Sequence, residues 1–206
     1  MNELGIRLGT KAHDRVTLRT AVFAADWNHV QADLIDPSGL PYTSNIGRGR
    51  ILGIDGEVSW RLSPVLTFDA SAFVIDSSLS SPVLGLGASD RQSLPNVASE
   101  GGRIATHWRK DIAPGIAFDG EIAVRYVGKS RLGVGPQLDI RQGGYATTSM
   151  AGRIAFGRFA PSLTIDNLAD VHANTFAFGN PFTVAQRDQM TPLRPRTLRI
   201  GIDATF

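Results

Sequence analysis

The sequence contains no cysteine, which excludes disulfide cross-links, thiolate metal sites and cysteine nucleophiles. No apolar run approaches the roughly 18 residues that a membrane-spanning helix needs. Lysine occurs only at Lys11, Lys110 and Lys129, and no basic run has the character of a nucleic-acid footprint, so we expect no nucleic-acid partner. The N-terminus lacks a basic segment followed by an apolar core, so no secretory signal is expected within this sequence.

The composition of the 206 residues is that of a folded chain with few charges. Hydrophobic residues make up 42% and charged residues 19%, with a net charge of +2. A chain with this hydrophobic fraction is too apolar to be disordered. Its charged fraction is below the value of about 25% that is usual in soluble proteins. The pattern does not change along the chain, so we expect residues 1–206 to form a single unit.

Alternation of polar and apolar residues is the dominant pattern. In the segment 118–127, Phe118, Ile122 and Val124 share one face, while Asp119 and Glu121 share the other. Successive side chains of a strand point to opposite sides, so the pattern predicts strands with one apolar and one polar face. Nine such strands are predicted, at residues 2–10, 14–34, 44–62, 65–79, 99–111, 115–130, 143–157, 159–169 and 194–206.

The predicted connections alternate strictly between short and long. The long ones are at about 35–43, 80–98, 131–142 and 170–193. In an up-and-down meander all short links then lie on one rim and all long links on the other, as in outer-membrane barrels. The fold class predicted is therefore all-β, an antiparallel up-and-down transmembrane β-barrel meander of about nine to ten strands.

Two orientations of the faces are compatible with alternation. A soluble β-domain would turn its apolar face inward, and a membrane barrel would turn it outward to lipid. The strands are long, and aromatic residues collect at strand ends on the apolar face, as in the interfacial belts of membrane proteins. These aromatic residues are Trp60, Phe68, Trp108, Phe118 and Phe156 near the short links, and Tyr126 toward the long ones. We therefore favour the membrane barrel.

The C-terminal region carries a recognisable pattern. Asn167-Leu168-Ala169-Asp170 ends a strand, Gly179-Asn180-Pro181 follows in a loop, Pro195-Arg196 opens the last strand, and the chain ends in Phe206. Upstream, Asn45 is followed by the run from Gly47 to Glu57. Together these motifs resemble the C-terminal part of TonB-dependent outer-membrane receptors, and the resemblance extends over essentially the whole chain.

The resemblance implies a bacterial outer-membrane location and a role in the uptake of a scarce ligand, plausibly an iron–siderophore complex. Receptors of this family have a 22-stranded barrel and a plug domain. About nine strands and no plug are expected in residues 1–206, so the chain is predicted to be one segment of a larger barrel. The implied partners are outer-membrane lipid, the remainder of the barrel and its plug, TonB acting through that plug, and the barrel-assembly machinery. Phe206 is predicted to be the C-terminal assembly signal.

Charged side chains on the polar face are the candidate ligand contacts. They could attract an anionic chelate into the lumen. The candidates are Arg103, His107, Arg109, Arg125 and Arg153. No catalytic residues, metal ligands or cofactors are predicted, and an enzyme is the least favoured class. Two alternatives to the receptor are a small, self-contained or oligomeric passive pore and a soluble all-β binding module.

Overall fold

A computed structural model of the chain describes residues 1–10, 13–36, 38–80, 82, 92–135, 138–176 and 190–205. Among these residues, no helix is long and apolar enough to cross a membrane. The strands, in chain order, are β1 Asn2–Leu8, β2 Val16–Ile35, β3 Pro41–Ser63, β4 Leu66–Ser80, β5 Glu100–Ala113, β6 Ile116–Val127, β7 Ser130–Arg131, β8 Arg141–Gln142, β9 Tyr145–Phe156, β10 Phe159–Asp166, β11 Asn174–Phe176, β12 Thr191–Pro192 and β13 Thr197–Ala204.

Nine of these strands form one antiparallel sheet in the order β1-β2-β3-β4-β5-β6-β9-β10-β13. Each strand pairs with its neighbour in the chain, apart from the short strands β7, β8, β11 and β12, which lie in the connections. The nine predicted strands are thereby confirmed. In the described part of the chain β1 and β13 each have only one partner strand, so the sheet is open and forms a partial barrel.

The connections confirm the alternation, with one exception. Tight turns at 64–65, 114–115 and 157–158 lie at one end of the sheet, and the long connections lie at the other. The connection predicted at 35–43 is shorter in the structure, because β2 ends at Ile35 and β3 begins at Pro41, and the two strands form a projecting hairpin. Asp33 accepts a hydrogen bond from the Thr43 hydroxyl across this hairpin (2.7 Å), which favours continued pairing.

The apolar face of the sheet is exposed along its whole width. Leu4 on β1 is 74% exposed, Ile104 on β5 is 54% exposed, and Ile200 on β13 is 79% exposed. Such a surface is unsuited to water, and it is what lipid contact requires. The expected orientation, with apolar side chains turned outward, is confirmed.

The register shows that the strands are staggered. Val16 on β2 is level with Met150 on β9 through the paired residues Trp60, Phe68, Thr106 and Ile122. However, β9 continues beyond Met150 to Phe156 before it turns. A shift of about 20 Å over five strand spacings of about 4.8 Å corresponds to a tilt of roughly 40°. Strands in membrane barrels have tilts of this size.

At this tilt the outward aromatic residues near the tight turns form a girdle. When the register is converted into heights with a rise of about 3.3 Å per residue, these aromatic residues differ in height by no more than about 6 Å. They are Trp60, Phe68, Trp108, Phe118, Phe156 and Phe159. The outward face becomes polar about 22 Å above this girdle. The polar residues there lie on four successive strands and are Arg50, Asp76, Glu100 and Tyr126. The distance between the girdle and these residues is close to the height of about 25 Å of the apolar band of a membrane barrel.

Buried apolar side chains are concentrated at the end of the sheet where the long connections lie. Leu34, Ile46 and Leu79 on the strands pack with Leu94 and Val134 from the connections. Leu94 is held there by its backbone N–H, which donates to the Ser77 hydroxyl (3.3 Å), and Leu79 N–H donates to the Gln92 carbonyl (2.7 Å). The connecting residues 92–99, 128–135 and 138–144 therefore pack onto the end of the sheet where the long connections lie.

Candidate functional site

The polar face carries a network of charged side chains that links adjacent strands. His107 on β5 lies between two carboxylates, with Nε2 3.0 Å from Asp69 Oδ2 on β4 and Nδ1 3.3 Å from Glu121 Oε2 on β6. Arg103, four residues before His107 on the same face of β5, also pairs with Glu121. One histidine and one arginine thus tie three neighbouring strands together.

A second group lies nearer the tight turns. Asp119 on β6 is approached by Arg109 on β5 (3.6 Å) and by Arg153 on β9 (3.9 Å), and Arg153 also lies 3.5 Å from Asp203 on β13. These pairs are long and exposed, with the Arg109 side chain 84% exposed. Exposed pairs of this kind contribute little, about 0–1 kcal/mol each.

Arg125 differs from the other predicted contact residues. Its Cα is paired with that of Arg103 across β5 and β6, and its side chain is exposed on the polar face. Among the described residues, it has no ion-pair or hydrogen-bond partner. The structure therefore places all five candidates on one face, and among these five only Arg125 has no ion-pair or hydrogen-bond partner in the described residues.

Aromatic rings cover glycines on the polar face above the charged network. A Cβ on Gly101 would lie 2.6 Å from Cε1 of Phe73, so the ring lies directly over this glycine. Phe23 covers Gly53 in the same manner. The absence of side chains at these two glycines is what lets the rings lie flat on the neighbouring strand.

The Asn-Leu-x-Asp motif ends β10 and fixes the start of β13. Asn167 is 6% exposed and has φ of 51°. Its Nδ2 donates to the carbonyls of Val171 and Arg194 (3.0 Å each), and its Oδ1 accepts from Val171 N–H (2.9 Å). Asp170 accepts from Arg196 N–H (2.9 Å). The motif has a structural role that sequence reasoning did not assign.

The Asn45-x-Gly47 motif marks a bulge in the β2–β3 pairing. Asn45 Oδ1 accepts from Gly47 N–H (2.9 Å), and Gly47 has φ of 133°, which only glycine adopts without strain. The register shifts on β2 at the same height, between Trp27 and Gln31. The bulge redirects the projecting hairpin, and Val30 and Ala32 beyond it contact the buried cluster.

The charged groups of the polar face are spread along the strands in cross-strand pairs. Within the described ranges, no group of three His, Asp or Glu side chains is placed to hold a metal ion. The charged groups are partly exposed and paired across strands, so positive and negative side chains alternate on this face. Below the Phe73 ring the same face has a hollow of about 730 Å³, lined by Arg7, Arg19, Arg103 and Arg125 among others.

A comparison with protein-family models matches residues 2–169 to the family described as TonB dependent receptor-like, beta-barrel. The chain belongs to this family of receptor β-barrels. The polar face is therefore the face that lines the lumen of the barrel, and the apolar face contacts outer-membrane lipid. Proteins of the family reside in the bacterial outer membrane, and the predicted location is confirmed.

Solved receptor structures match nearly the whole of this barrel segment. The ferric yersiniabactin uptake receptor FyuA from Yersinia pestis has a TM-score of 0.79 and 28% identity, and 99% of this chain covers 29% of that one. The copper transporter OprC has a TM-score of 0.74 and 17% identity, with 99% of this chain covering 31%. The siderophore receptor PiuA from Acinetobacter baumannii has a TM-score of 0.70 and 16% identity, with 98% covering 28%.

The segment thus spans about three tenths of the length of these receptors. No curated protein matches the chain. The related chains are named as uptake receptors and transporters, which makes an enzyme unlikely. Two features of the predicted C-terminal pattern, Gly179-Asn180-Pro181 and Phe206, lie outside the described residues.

Proposed function

We propose that this segment forms part of the wall of a receptor that imports an iron–siderophore complex across the outer membrane. The observation that carries the proposal is the likeness to the ferric yersiniabactin receptor, at 28% identity over 99% of the chain. The polar lumen face and the lipid-facing apolar band are the two surfaces that such a wall needs. A passive pore is not favoured, because the matched proteins are named as uptake receptors. The exposed apolar face disfavours the soluble binding module.

The remainder of the barrel and a plug are the proposed partners within the receptor. Both edge strands, β1 and β13, have backbone groups facing away from their only described partner strand. Unpaired backbone groups are too costly in hydrocarbon to persist, so further strands must close the barrel. TonB would supply energy through the plug.

Assembly into the membrane is proposed to depend on Phe206. The resemblance to the family assigns this terminal aromatic residue as the signal for the barrel-assembly machinery. Replacing it by serine is expected to lower the amount of receptor in the outer membrane without changing the transport rate per molecule. Equal amounts of both proteins in the membrane fraction would refute the assignment.

The uptake function is testable by deleting the gene and supplying ferric siderophores as the only iron source. Growth on at least one ferric siderophore is expected to be lost and to return with the wild-type gene. Complementation in a strain without TonB is the matched control, and it is expected to fail. Undiminished uptake of every ferric siderophore by the deletion strain would disprove the proposal.

A further inference from the structure

The connection between β6 and β9 forms a small hairpin of its own at the end of the sheet where the long connections lie. Its described residues are 128–135 and 138–144, which contain β7 and β8, and we call these residues the hub. Backbone pairing continues beyond the two short strands, because Leu132 N–H donates to the Ile140 carbonyl (2.9 Å). The hub therefore has internal hydrogen bonds that do not depend on the wall.

Polar contacts join the hub to the connection that follows β4. Gln142 is only 6% exposed, and its Nε2 donates to Asn96 Oδ1 (2.7 Å). Asn96 N–H donates to the Arg131 carbonyl (2.7 Å). Asn96 has a φ of 59°, a left-handed conformation that costs free energy in a residue other than glycine. The contacts of Asn96 with the hub offset this cost.

Apolar contacts join the hub to the β2–β3 hairpin and extend its contact with the connection after β4. Leu132 and Leu138 are buried, and Ile35 at the end of β2 packs against their cluster. Val134 is buried in a neighbouring cluster, to which Leu94 from the connection after β4 also belongs. The hub therefore contributes to two buried clusters at this end of the sheet.

Hydrogen bonds join the hub to the connection between β10 and β13. Gly143 N–H donates to the Asn174 carbonyl (3.0 Å), and Asn174 Nδ2 donates to the Arg141 carbonyl (3.3 Å). Asn174 Oδ1 accepts from Thr191 N–H (3.2 Å). One asparagine on β11 thus links the hub with β12.

Closely packed glycines fix the position of the hub on the wall. Gly143 has a φ of 74°, and a Cβ there would overlap the Gly128 carbonyl group. A Cβ on Gly128 would in turn overlap the Glu100 carbonyl group at the start of β5. Only glycine allows the backbones to approach this closely, so the hub is held against the wall in one position.

We propose that the hub holds the β2–β3 hairpin, the connection after β4 and the β11–β12 pair together as one cooperative unit, which opens as a whole and at a lower free energy than the wall. Regions with few buried contacts open locally, and segments that share contacts open together. Each of the three segments shares buried or hydrogen-bonded contacts with the hub, whereas the wall is a continuous ladder of paired strands. A molecule that stabilises one of the segments is then expected to stabilise the others as well, whatever ligand the receptor imports.

Hydrogen exchange of the complete gene product in lipid vesicles tests whether the unit exists. The four reporters are the hairpin residues 32–35 and the hydrogen-bonded amides of Asn96, Gly143 and Leu193. In the wild type, all four are expected to give one common free energy of opening, lower than that of amides in β6. Unequal values among the four, or values equal to those of β6, would overturn the proposal.

Gln142→Ala weakens the hub at its contact with the connection after β4. It is expected to raise exchange at all four reporters at least about fivefold and by a similar factor, because a buried amide loses its partner and the shared opening becomes easier. A rise confined to Asn96 and the hub would show that the segments open independently. Ser63→Ala is the matched control, since it removes the hydroxyl that accepts from Val65 N–H (3.3 Å) in a tight turn at the other end of the sheet, and it is expected to change none of the four.

A cross-link tests the same coupling without a destabilised variant. Residues 1–206 contain no cysteine, so Asp33→Cys and Thr43→Cys, at paired positions on β2 and β3, introduce a single pair of thiols into this segment. Oxidation of the pair to a disulfide is expected to slow exchange at Gly143 and Leu193, on the other side of the hub, at least about threefold relative to the reduced protein. Protection confined to the hairpin would refute the cooperative unit.

Discussion

At the scale of single residues, Asn167 is the clearest case of one side chain that holds two chain segments together. Its buried amide makes three hydrogen bonds, to Val171 twice and to Arg194 once. Asn167→Ala is expected to lower the free energy of unfolding by about 1–3 kcal/mol, because buried backbone groups lose their partners. Urea unfolding of the complete gene product in lipid vesicles measures this loss.

The matched control is Asn2→Ala, which replaces an exposed asparagine at the start of β1 and is expected to change stability by less than about 0.5 kcal/mol. The positive φ of Asn167 adds a second test. Asn167→Gly keeps the backbone conformation and removes the amide, so it is expected to be nearly as harmful as alanine. A harmless glycine substitution would show that backbone strain, and not hydrogen bonding, explains the motif.

Asp36 determines how the turn between β2 and β3 responds to acid. Its carboxylate accepts from the Ser38 hydroxyl (2.6 Å) and from Leu40 N–H (2.9 Å). The hydrogen bond from Ser38 is the main reason that the pKa of Asp36 lies below its ordinary value of 3.8, and the bond from Leu40 adds to it. A lowered pKa means that the ionised form stabilises the turn, and this stabilisation is lost as the pH falls below the ordinary value.

Hydrogen exchange of the Leu40 amide is therefore expected to show constant protection, corrected for intrinsic rates, between about pH 5 and 8, and a loss of protection in more acidic solution. Asp36→Asn removes the titrating group and is expected to abolish the change with pH. Protection that falls within the neutral range, or an identical acid response in the Asn variant, would contradict the assignment.

At the scale of strands, glycines covered by aromatic rings shape the lumen face. Gly101→Ala brings a Cβ to within 2.6 Å of the Phe73 ring, so the ring must move. Overpacking of this kind costs about 1–3 kcal/mol. Gly56→Ala is the control, since its Cβ would meet nothing closer than 3.6 Å and alanine is expected to be neutral or stabilising by up to about 1 kcal/mol.

A comparison of unfolding midpoints for the two alanine variants tests this explanation. In a Phe73→Ala background, the penalty for Gly101→Ala is expected to disappear, because the clashing ring is gone. A penalty that persists without the ring would mean that Gly101 is required for a different reason, such as its closeness to the Tyr126 carbonyl.

Strands and faces could be predicted from the sequence because both follow from a local period of two. The alternation of polar and apolar residues along the chain is enough to predict the nine segments, the aromatic girdle and the outward apolar side chains. The pairs of two- or three-residue strands, β7–β8 and β11–β12, were not predicted, because segments this short show no alternation. The start of β3 at Pro41 was predicted three residues too late, because Gly39 and Pro41 suggest a loop.

The ion-pair partners of the charged side chains on the lumen face could not be predicted from the sequence either. Arg103, Arg109, Arg125 and Arg153 look alike in the sequence, and each follows the same alternation. Their difference comes from their neighbours: Arg103 forms an ion pair with Glu121, whereas Arg125 is paired with Arg103 and Thr147 and has no carboxylate partner among the described residues. Arg7 on β1 also lies on the polar face, but it was not among the candidates, which lie four to six strands away on β5, β6 and β9.

At the scale of the whole molecule, the direction of the two faces can be tested by charge. Ile104 is 54% exposed on the apolar face and lies near the middle of the membrane band. Ile104→Lys is expected to destabilise the barrel by about 2–4 kcal/mol, as for other lipid-facing charges at this depth. Unfolding in vesicles, or the amount of folded receptor in the outer membrane, measures the effect.

Ser59→Lys is the matched control, because Ser59 is partly exposed on the opposite, lumen face of β3 and is paired with Asp69 on β4 and Thr17 on β2. It is expected to leave stability nearly unchanged. If both lysines were equally damaging, or if only the lumen substitution were harmful, the assignment of the two faces would be reversed and the placement in the membrane would fail with it.

The hairpin of β2 and β3 has a consequence for how cells display this protein. Nine residues of β2 follow Asp26, which is level with the upper polar border, so the turn at Ser38 and Gly39 stands about 23 Å above that border. We expect a tip at this height to be accessible to antibodies on intact cells. An epitope tag inserted between Ser38 and Gly39 would therefore be visible on living cells, while the wall beneath it stays intact.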